Sequence, residues 1–352
     1  MNEQYKLSVA SSPHASSPVG TRNLMLDVII ALLPALAISI FFFGPRALTM
    51  TLVSVAGCVF FEWAYEKIMK KPSSINDMSA VITGILLVYV CPVTLPYWMV
   101  LIGDFFAIVI VKMLFGGLGT NFLNPALAGR AFLMLCYPVP MTTWIKPGMA
   151  NWASIGSVQL TDAMTGSTPL NIDFMKSGNL PDKSLMDMFI GNIGGSLGET
   201  SVLMLLLGAA YLTIRGVIRL RAPLACLGTI AIIAFLFPRG DDGRAIWTIY
   251  ELMAGGVILG AFFMETDYVT SPNTPKGEII FGVGCGLLTM MIRYFGGYPE
   301  GCCYSILIMN LCVWLIDKYT MPGRFGVTKA MKAEAKARAK AEKLAAKGGA
   351  ES

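Results

Sequence analysis

The chain has 352 residues, of which 55% are hydrophobic and only 14% charged, with a formal net charge of +5 and a mean hydropathy of +0.63. A soluble chain carries about a quarter charged residues, so this composition excludes a soluble globular domain and points to an all-α polytopic membrane protein. Much of the positive charge lies between Lys329 and Lys347, and the remainder sits in loops that orient helices; it is no sign of nucleic-acid binding.

Residues 1–23 are polar and hold the one histidine, His14, whose expected place is the surface or a subunit contact. They carry no signal-peptide pattern, because the first apolar run begins only after residue 23 and has no small-residue cleavage site. Apolar runs follow at 24–43, 47–65, 78–92, 97–115 and 125–140, then at 199–214, 223–237, 245–264, 278–293 and 302–317. They predict about ten transmembrane helices. Several fall short of the ~20 residues a crossing needs, and Pro and Gly flank them, as expected of broken or tilted helices. The chain divides accordingly into a cytoplasmic segment 1–23, a first five-helix unit 24–140, a polar interval 141–198, a second five-helix unit 199–317 and a charged tail 318–352. The eight cysteines lie in or beside apolar runs with no C-x-x-C pair, which reads as buried small side chains rather than a disulfide framework or zinc site.

Loop charge sets the expected orientation. Lys67, Lys70 and Lys71 follow the second run, Arg215, Arg219 and Arg221 the sixth, and Lys318 and Arg324 the tenth. Basic loops stay in the cytoplasm, which puts both termini inside and the 141–198 interval outside.

A repeat links the two halves. Val81-Ile82-x-Gly84 precedes Val93-Thr94-x-Pro96 at the same offset at which Val257-Ile258-x-Gly260 precedes Val269-Thr270-x-Pro272, and each block leads to Phe-Gly-Gly, at Phe115 and at Phe295. The blocks are five spans apart, an odd offset, which predicts a 5+5 inverted repeat with breaks at the two Val-Thr-x-Pro sites. Chance recurrence of Gly and Pro patterns in an apolar chain is the alternative. Asn124-Pro125 reads as a helix start, with Asn124 as cap, Pro125 in the first position and Gly129 for close packing. That helix N-terminus either faces an anionic group or a flavin ring oxygen, or is simply a capped membrane helix.

Ionisable residues inside spans are functional candidates. Asp104 lies mid-span, with Lys112 as its expected partner. Glu265 and Asp267 sit at the inner end of the eighth run, beside the second Val-Thr-x-Pro break, and either lie on a cation path or reach to the interface. In the polar interval, Asp162-Ala-Met-Thr165-Gly166-Ser167-Thr168-Pro169 offers an acid, small turn residues and hydroxyls. It reads as an ordinary polar turn or as a place where another molecule approaches the backbone and a hydroxyl serves as covalent acceptor. The Lys-Ala-Glu tail is expected to be a solvated or subunit-contacting helix.

Five stretches carry a resemblance: Met78-Ser79-Ala-Val-Ile-Thr-Gly84, Phe115-Gly-Gly-Leu-Gly-Thr-Asn-Phe-Leu-Asn124-Pro-Ala, Asp162 to Leu170, Thr266-Asp-Tyr-Val-Thr-Ser-Pro-Asn-Thr-Pro275, and Phe295-Gly-Gly-Tyr-Pro-Glu-Gly301. In this order, and over nearly residues 1–325, they closely resemble the D subunits of Rnf complexes, which are ion-translocating ferredoxin:NAD oxidoreductases. The B subunits of sodium-translocating NADH:quinone reductases are a more distant likeness. The resemblance implies a ten-helix electron-transfer subunit of the bacterial cytoplasmic membrane, with FMN joined through its phosphate to a threonine by a flavin transferase. The family's Asp-x-x-Ser/Thr-Gly-Ala-Thr motif maps onto Asp162, Thr165, Gly166, Ser167 and Thr168, with Thr168 the acceptor and Ser167 standing where alanine is usual. It further implies other membrane and peripheral subunits and membrane lipid as partners and Na+ or H+ as the coupled ion, with the electron crossing the bilayer either through partner subunits or through a second, noncovalent flavin such as riboflavin. The chain itself shows no glycine-rich dinucleotide loop and no cluster-type cysteine run, so NAD and ferredoxin sites are expected on partners. From the inverted repeat alone, a stand-alone secondary transporter or channel is the competing reading, and a purely structural scaffold a third.

Overall fold

The computed structural model describes residues 20–145, 147, 165–166, 184–239, 243–296 and 300–322, the pair 165–166 by backbone alone. Helices α1 (Thr21–Phe43) and α2 (Pro45–Met69) are joined by Gly44 alone, at φ 76°, with Pro45 in the first position of α2. Glycine tolerates that backbone, and proline begins a helix without losing a needed N–H. Helix α3 (Ser79–Tyr89) has 11 residues, about 16 Å at 1.5 Å per residue. Helix α4 (Tyr97–Phe105) runs on as a π-helical stretch, Phe106–Met113.

Helix α5 (Pro125–Cys136) bears out the expected start: Asn124 Oδ1 accepts from the Ala126 and Leu127 amides at 3.1 and 3.4 Å. Gly129 packs closely too, since a Cβ there would lie 3.0 Å from the Gly103 carbonyl oxygen. The apolar run to residue 140 does not stay one helix. Tyr137 leaves helical geometry ahead of Pro138, as residues before proline do, and α6 (Pro138–Met141) is a separate turn. Strand β1 (Trp144–Ile145) then pairs antiparallel with β2 (Thr165–Gly166), Ile145 opposite Thr165. Helix α7 (Leu185–Ile190) follows.

The end of the polar interval is not peripheral. Most of residues 193–200 are buried, the Leu197 and Gly198 amides donating to the Cys91 and Tyr89 carbonyls at 3.1 and 2.9 Å. Ser39 Oγ donates to the Leu197 carbonyl. The glycines in this stretch let the backbone come this close, and the hydrogen bonds satisfy polar groups that water does not reach.

The second half comprises α8 (Val202–Ile214), α9 (Arg221–Leu236), α10 (Arg244–Met253), α11 (Val257–Leu259) with a π-helical continuation Gly260–Met264, α12 (Pro275–Phe295) and α13 (Cys302–Thr320). The run 245–264 is bent by 63° rather than straight, with Gly255 at φ 66° in the break. Both Val-Thr-x-Pro sites fall in non-helical segments, between α3 and α4 and ahead of α12.

Among the described residues, α1, α2, α12 and α13 are long and apolar enough to cross a membrane, and the bent α10–α11 pair makes a fifth when counted as one broken span rather than a re-entrant loop. Helices α3, α5, α8 and α9 are apolar but shorter. Ile30, Leu33, Leu52, Phe60, Ile280, Leu287 and Met291 remain exposed on the long helices. A soluble protein buries such faces, whereas lipid covers them in a multi-pass membrane protein. The buried core spans both halves, from Leu32 and Leu86 through Leu127 to Leu205, Phe263, Phe281 and Ile306.

Helix contacts rest on small residues, because between helices in lipid the gain comes from close packing rather than from water exclusion. A Cβ on Gly208 of α8 would lie 2.2 Å from the Ala31 carbonyl oxygen of α1, and one on Gly282 of α12 would lie 2.3 Å from that of Ala222 on α9. Gly228 on α9 has open space instead. Gly282→Val is therefore expected to cost about 1–3 kcal/mol or more through overpacking, read as a lower unfolding midpoint of the purified protein. Gly228→Val leaves the midpoint near that of the parent, and equal losses in both would show that packing is not the cause.

Candidate functional site

A cleft opens where the ends of several helices meet. It is lined by Leu24, Met25 and Val28 of α1, Ser79, Ile82 and Thr83 of α3, Lys112 of the π-helical stretch after α4, Asn121, Asn124 and Pro125 at the start of α5, Leu212 of α8, and the stretch Phe262, Phe263, Thr266, Asp267, Tyr268 and Val269. Its space of about 820 Å³ includes open solvent. The walls are mainly apolar, with a few converging polar groups: the Ser79 hydroxyl, the Lys112 ammonium, the Asn121 and Asn124 amides and the Asp267 carboxylate. Such a cleft suits a flat, largely apolar ring system with polar edges.

Lys112 connects the cleft to a buried polar stripe on α2. Ser54, Cys58, Glu62 and Glu66 recur every four residues along α2 and so lie on one face, towards α4 and its π-helical continuation. Lys112 Nζ donates to Glu62 Oε2 at 2.8 Å and to Ser79 Oγ at 2.7 Å, with both charged groups at most 2% exposed. Ser74 links Glu62 and Glu66 through its hydroxyl, at 2.6 and 2.5 Å.

The expected Asp104–Lys112 pair does not form. Asp104 instead accepts from Ser54 Oγ at 2.6 Å and from the Cys58 thiol at 3.3 Å. The stripe on α2 offers each residue its own partner, the hydroxyl and thiol opposite Asp104 and the carboxylate further along opposite Lys112.

The three expected acids are not gathered into one site. Asp104 is fully buried against α2, and its Oδ2 has no hydrogen-bond partner. Glu265 is buried beside the Cys226 and Cys285 thiols of α9 and α12. Asp267 borders the cleft, accepting from the Val269 amide and the Thr270 hydroxyl at 3.4 and 3.1 Å. Of the Asp162–Thr168 motif, the Thr165–Gly166 backbone is held on β1, while Asp162, Ser167 and Thr168 lie outside the described residues.

Several buried charges escaped the sequence reading: Glu62 and Glu66, the Arg293–Glu251 pair at 2.7 Å, and Arg130 between Glu199 and Glu300. The rule that singled out Asp104, an ionisable residue inside an apolar run, applies equally to Glu62, Arg130, Glu251 and Arg293 and would have found them.

Comparison with known proteins agrees with the motifs. A family model described as the NQR2, RnfD, RnfE family matches residues 8–326. The D subunit of the Na(+)-translocating ferredoxin:NAD(+) oxidoreductase complex of Acetobacterium woodii is 47% identical over 340 residues, covering 96% of this chain and 100% of that one. The D subunit of the proton-translocating ferredoxin:NAD(+) oxidoreductase complex of Clostridium ljungdahlii is 42% identical, over 91% of this chain and 96% of that one. That of the ion-translocating oxidoreductase complex of Actinobacillus succinogenes is 36% identical, over 89% and 96%. The chain thus belongs to the NQR2, RnfD, RnfE family.

Proposed function

We propose that this chain is the D-type membrane subunit of an ion-translocating ferredoxin:NAD oxidoreductase, carrying FMN esterified through its phosphate to Thr168. The observation that carries this reading is the 47% identity to one such protein along its whole length, joined to the Asp162–Thr168 motif in register. A phosphoester tether turns a diffusing cofactor into a fixed carrier, and FMN supplies one- and two-electron redox chemistry when bound. The protein's part is to hold the tether in place. The pairing of Thr165–Gly166 with Trp144–Ile145 ties the motif to the end of the first half, two residues before the acceptor.

The cleft between the halves is the proposed seat of a second, noncovalent flavin, riboflavin. Its apolar walls suit the ring, while Asn121, Asn124 and Ser79 offer hydrogen bonds to ring edges or ribityl hydroxyls. Lys112, balanced by Glu62, brings a cation to the same wall. NAD and ferredoxin bind partner subunits in this reading, and electron flow is coupled to Na+ or H+. Moving one charge against 100 mV takes about 2.3 kcal/mol.

The proposed topology is a 5+5 inverted repeat of ten spans, short helices included, with both termini in the cytoplasm and residues 141–198 outside. Two features support it: π-helical turns in both halves, at Phe106–Met113 and Gly260–Met264, and breaks at both Val-Thr-x-Pro sites.

Three measurements test these points. With the flavin transferase co-expressed, the protein should fluoresce on a denaturing gel, Thr168→Val should be dark, and Ser167→Ala should stay bright. A bright Thr168→Val band would move the acceptor elsewhere. Ile82→Trp, which fills the cleft, should lower acid-extractable riboflavin several-fold while sparing in-gel fluorescence; unchanged riboflavin would seat that flavin elsewhere. Finally, a cysteine at exposed Met186 should react with an impermeant maleimide in intact cells, and one at Lys71 only after lysis. The reverse pattern would invert the topology.

A further inference from the structure

Arg130, buried within α5, meets two carboxylates from the second half of the chain. Glu199, in the segment leading into α8, lies 3.4 Å away, and Glu300, just ahead of α13, forms the closer pair. Arg130, Glu199 and Glu300 are 5%, 3% and 9% exposed. The two carboxyl groups are also within hydrogen-bonding reach of each other. An ionised carboxylate only accepts, so a hydrogen bond between two of them requires that one carry a proton. Drawn as carboxylates, the pair leaves Glu199 Oε2 buried with no donor.

Charge counting leads to the same place. Arg293 of α12 also acts on Glu300, and its own partner is Glu251 of α10, at 2.7 Å. The other titratable groups around Arg130 and its two acids are the Cys91, Cys302 and Cys303 thiols, neutral when protonated, while Arg239, Tyr250 and Tyr294 face Glu251. Around Arg130 itself one guanidinium therefore meets two carboxyl groups, while Glu251 and Arg293 offset each other. With both carboxyl groups ionised, the Arg130 trio holds a net negative charge in a low-dielectric interior; with one proton it is neutral. Arg130 already fills the place of a cation between the two acids, which favours a proton over a second metal-sized ion.

We propose that Glu199 and Glu300 form a proton-binding site on Arg130, sharing one exchangeable proton where the two halves of the chain meet. Because Arg130 comes from the first half and both acids from the second, loading or releasing the proton changes the charge across the seam by one unit. None of the three residues lines the cleft, and the site does not depend on either flavin assignment.

Infrared difference spectroscopy on the purified, assembled complex, recorded across a pH step, tests this. The wild type should show the carbonyl stretch of a protonated carboxylic acid, shifting in D2O, and both Glu199→Gln and Glu300→Gln should abolish that band. Glutamine matches the protonated acid in shape and charge, so each variant keeps Arg130 partnered; if one does not accumulate, the other reads the same band. A wild type without the band, or a band that survives in every variant obtained, overturns the proposal. So does a band that ignores pH and disappears on adding Na+, which would assign the site to the metal ion.

Discussion

The constraint on which this structure depends is that hydrocarbon offers no partner to a backbone N–H or C=O. Helices that cross without interruption satisfy the rule internally, but short and broken ones expose their ends in the protein interior. The interrupted helices meet this demand with their own side chains. Asp77 holds the start of α3 through the Ser79 amide, Asn124 that of α5, Ser201 that of α8 and Thr274 that of α12. Where no cap is at hand the backbone itself helps, as when Gly198 and Leu197 donate to carbonyls at the last residue of α3 and just beyond it. Each satisfied end leaves a non-helical stretch inside the protein, and the cleft is lined by several of them.

The same logic governs the buried charges. A lone ion in the membrane interior is costly, and the charged pairs join distant segments of the chain, whereas Asp104 and Glu265 have only hydroxyl or thiol neighbours. Glu62 on α2 meets Lys112 beyond α4, and Glu251 on α10 meets Arg293 on α12. Removing one member strands the other, which makes these sets sensitive points of the fold. By contrast, Arg219 and Arg221 reach Glu278 from exposed positions and add little, since water and salt screen them.

Much of this was legible in the sequence where the signal is local. Asn124-Pro125 names its own cap, Val-Thr-x-Pro marks a break because proline cannot continue a helix there, and a scarcity of charge announces the membrane. What was not legible depends on which surfaces meet. The partner of Asp104 follows from the rotation of α2, which sets Ser54 and Cys58, not Lys112, opposite the acid. The bend at residues 254–256 was hidden because glycine is common in membrane helices, and the glycine pair there looks like any other. Burial of residues 193–200 runs against their polar composition, and depends on hydrogen bonds to a segment about 100 positions earlier in the chain. The Asp162–Thr168 motif is a case of its own, because family likeness rather than local physics singles it out.

The position of Arg130 bears on how the chain is made. Its close partner Glu300 lies 170 residues later, so α5 leaves the ribosome long before its charge can be neutralised there. An arginine at the centre of a membrane helix costs about 2.5–3.5 kcal/mol on insertion scales, and α5 is only 12 residues long. The first half is therefore poorly suited to settle in lipid as a finished unit. It has to wait, held at the insertion machinery or by its neighbours, until the last helix is delivered and the two halves close around the charge together.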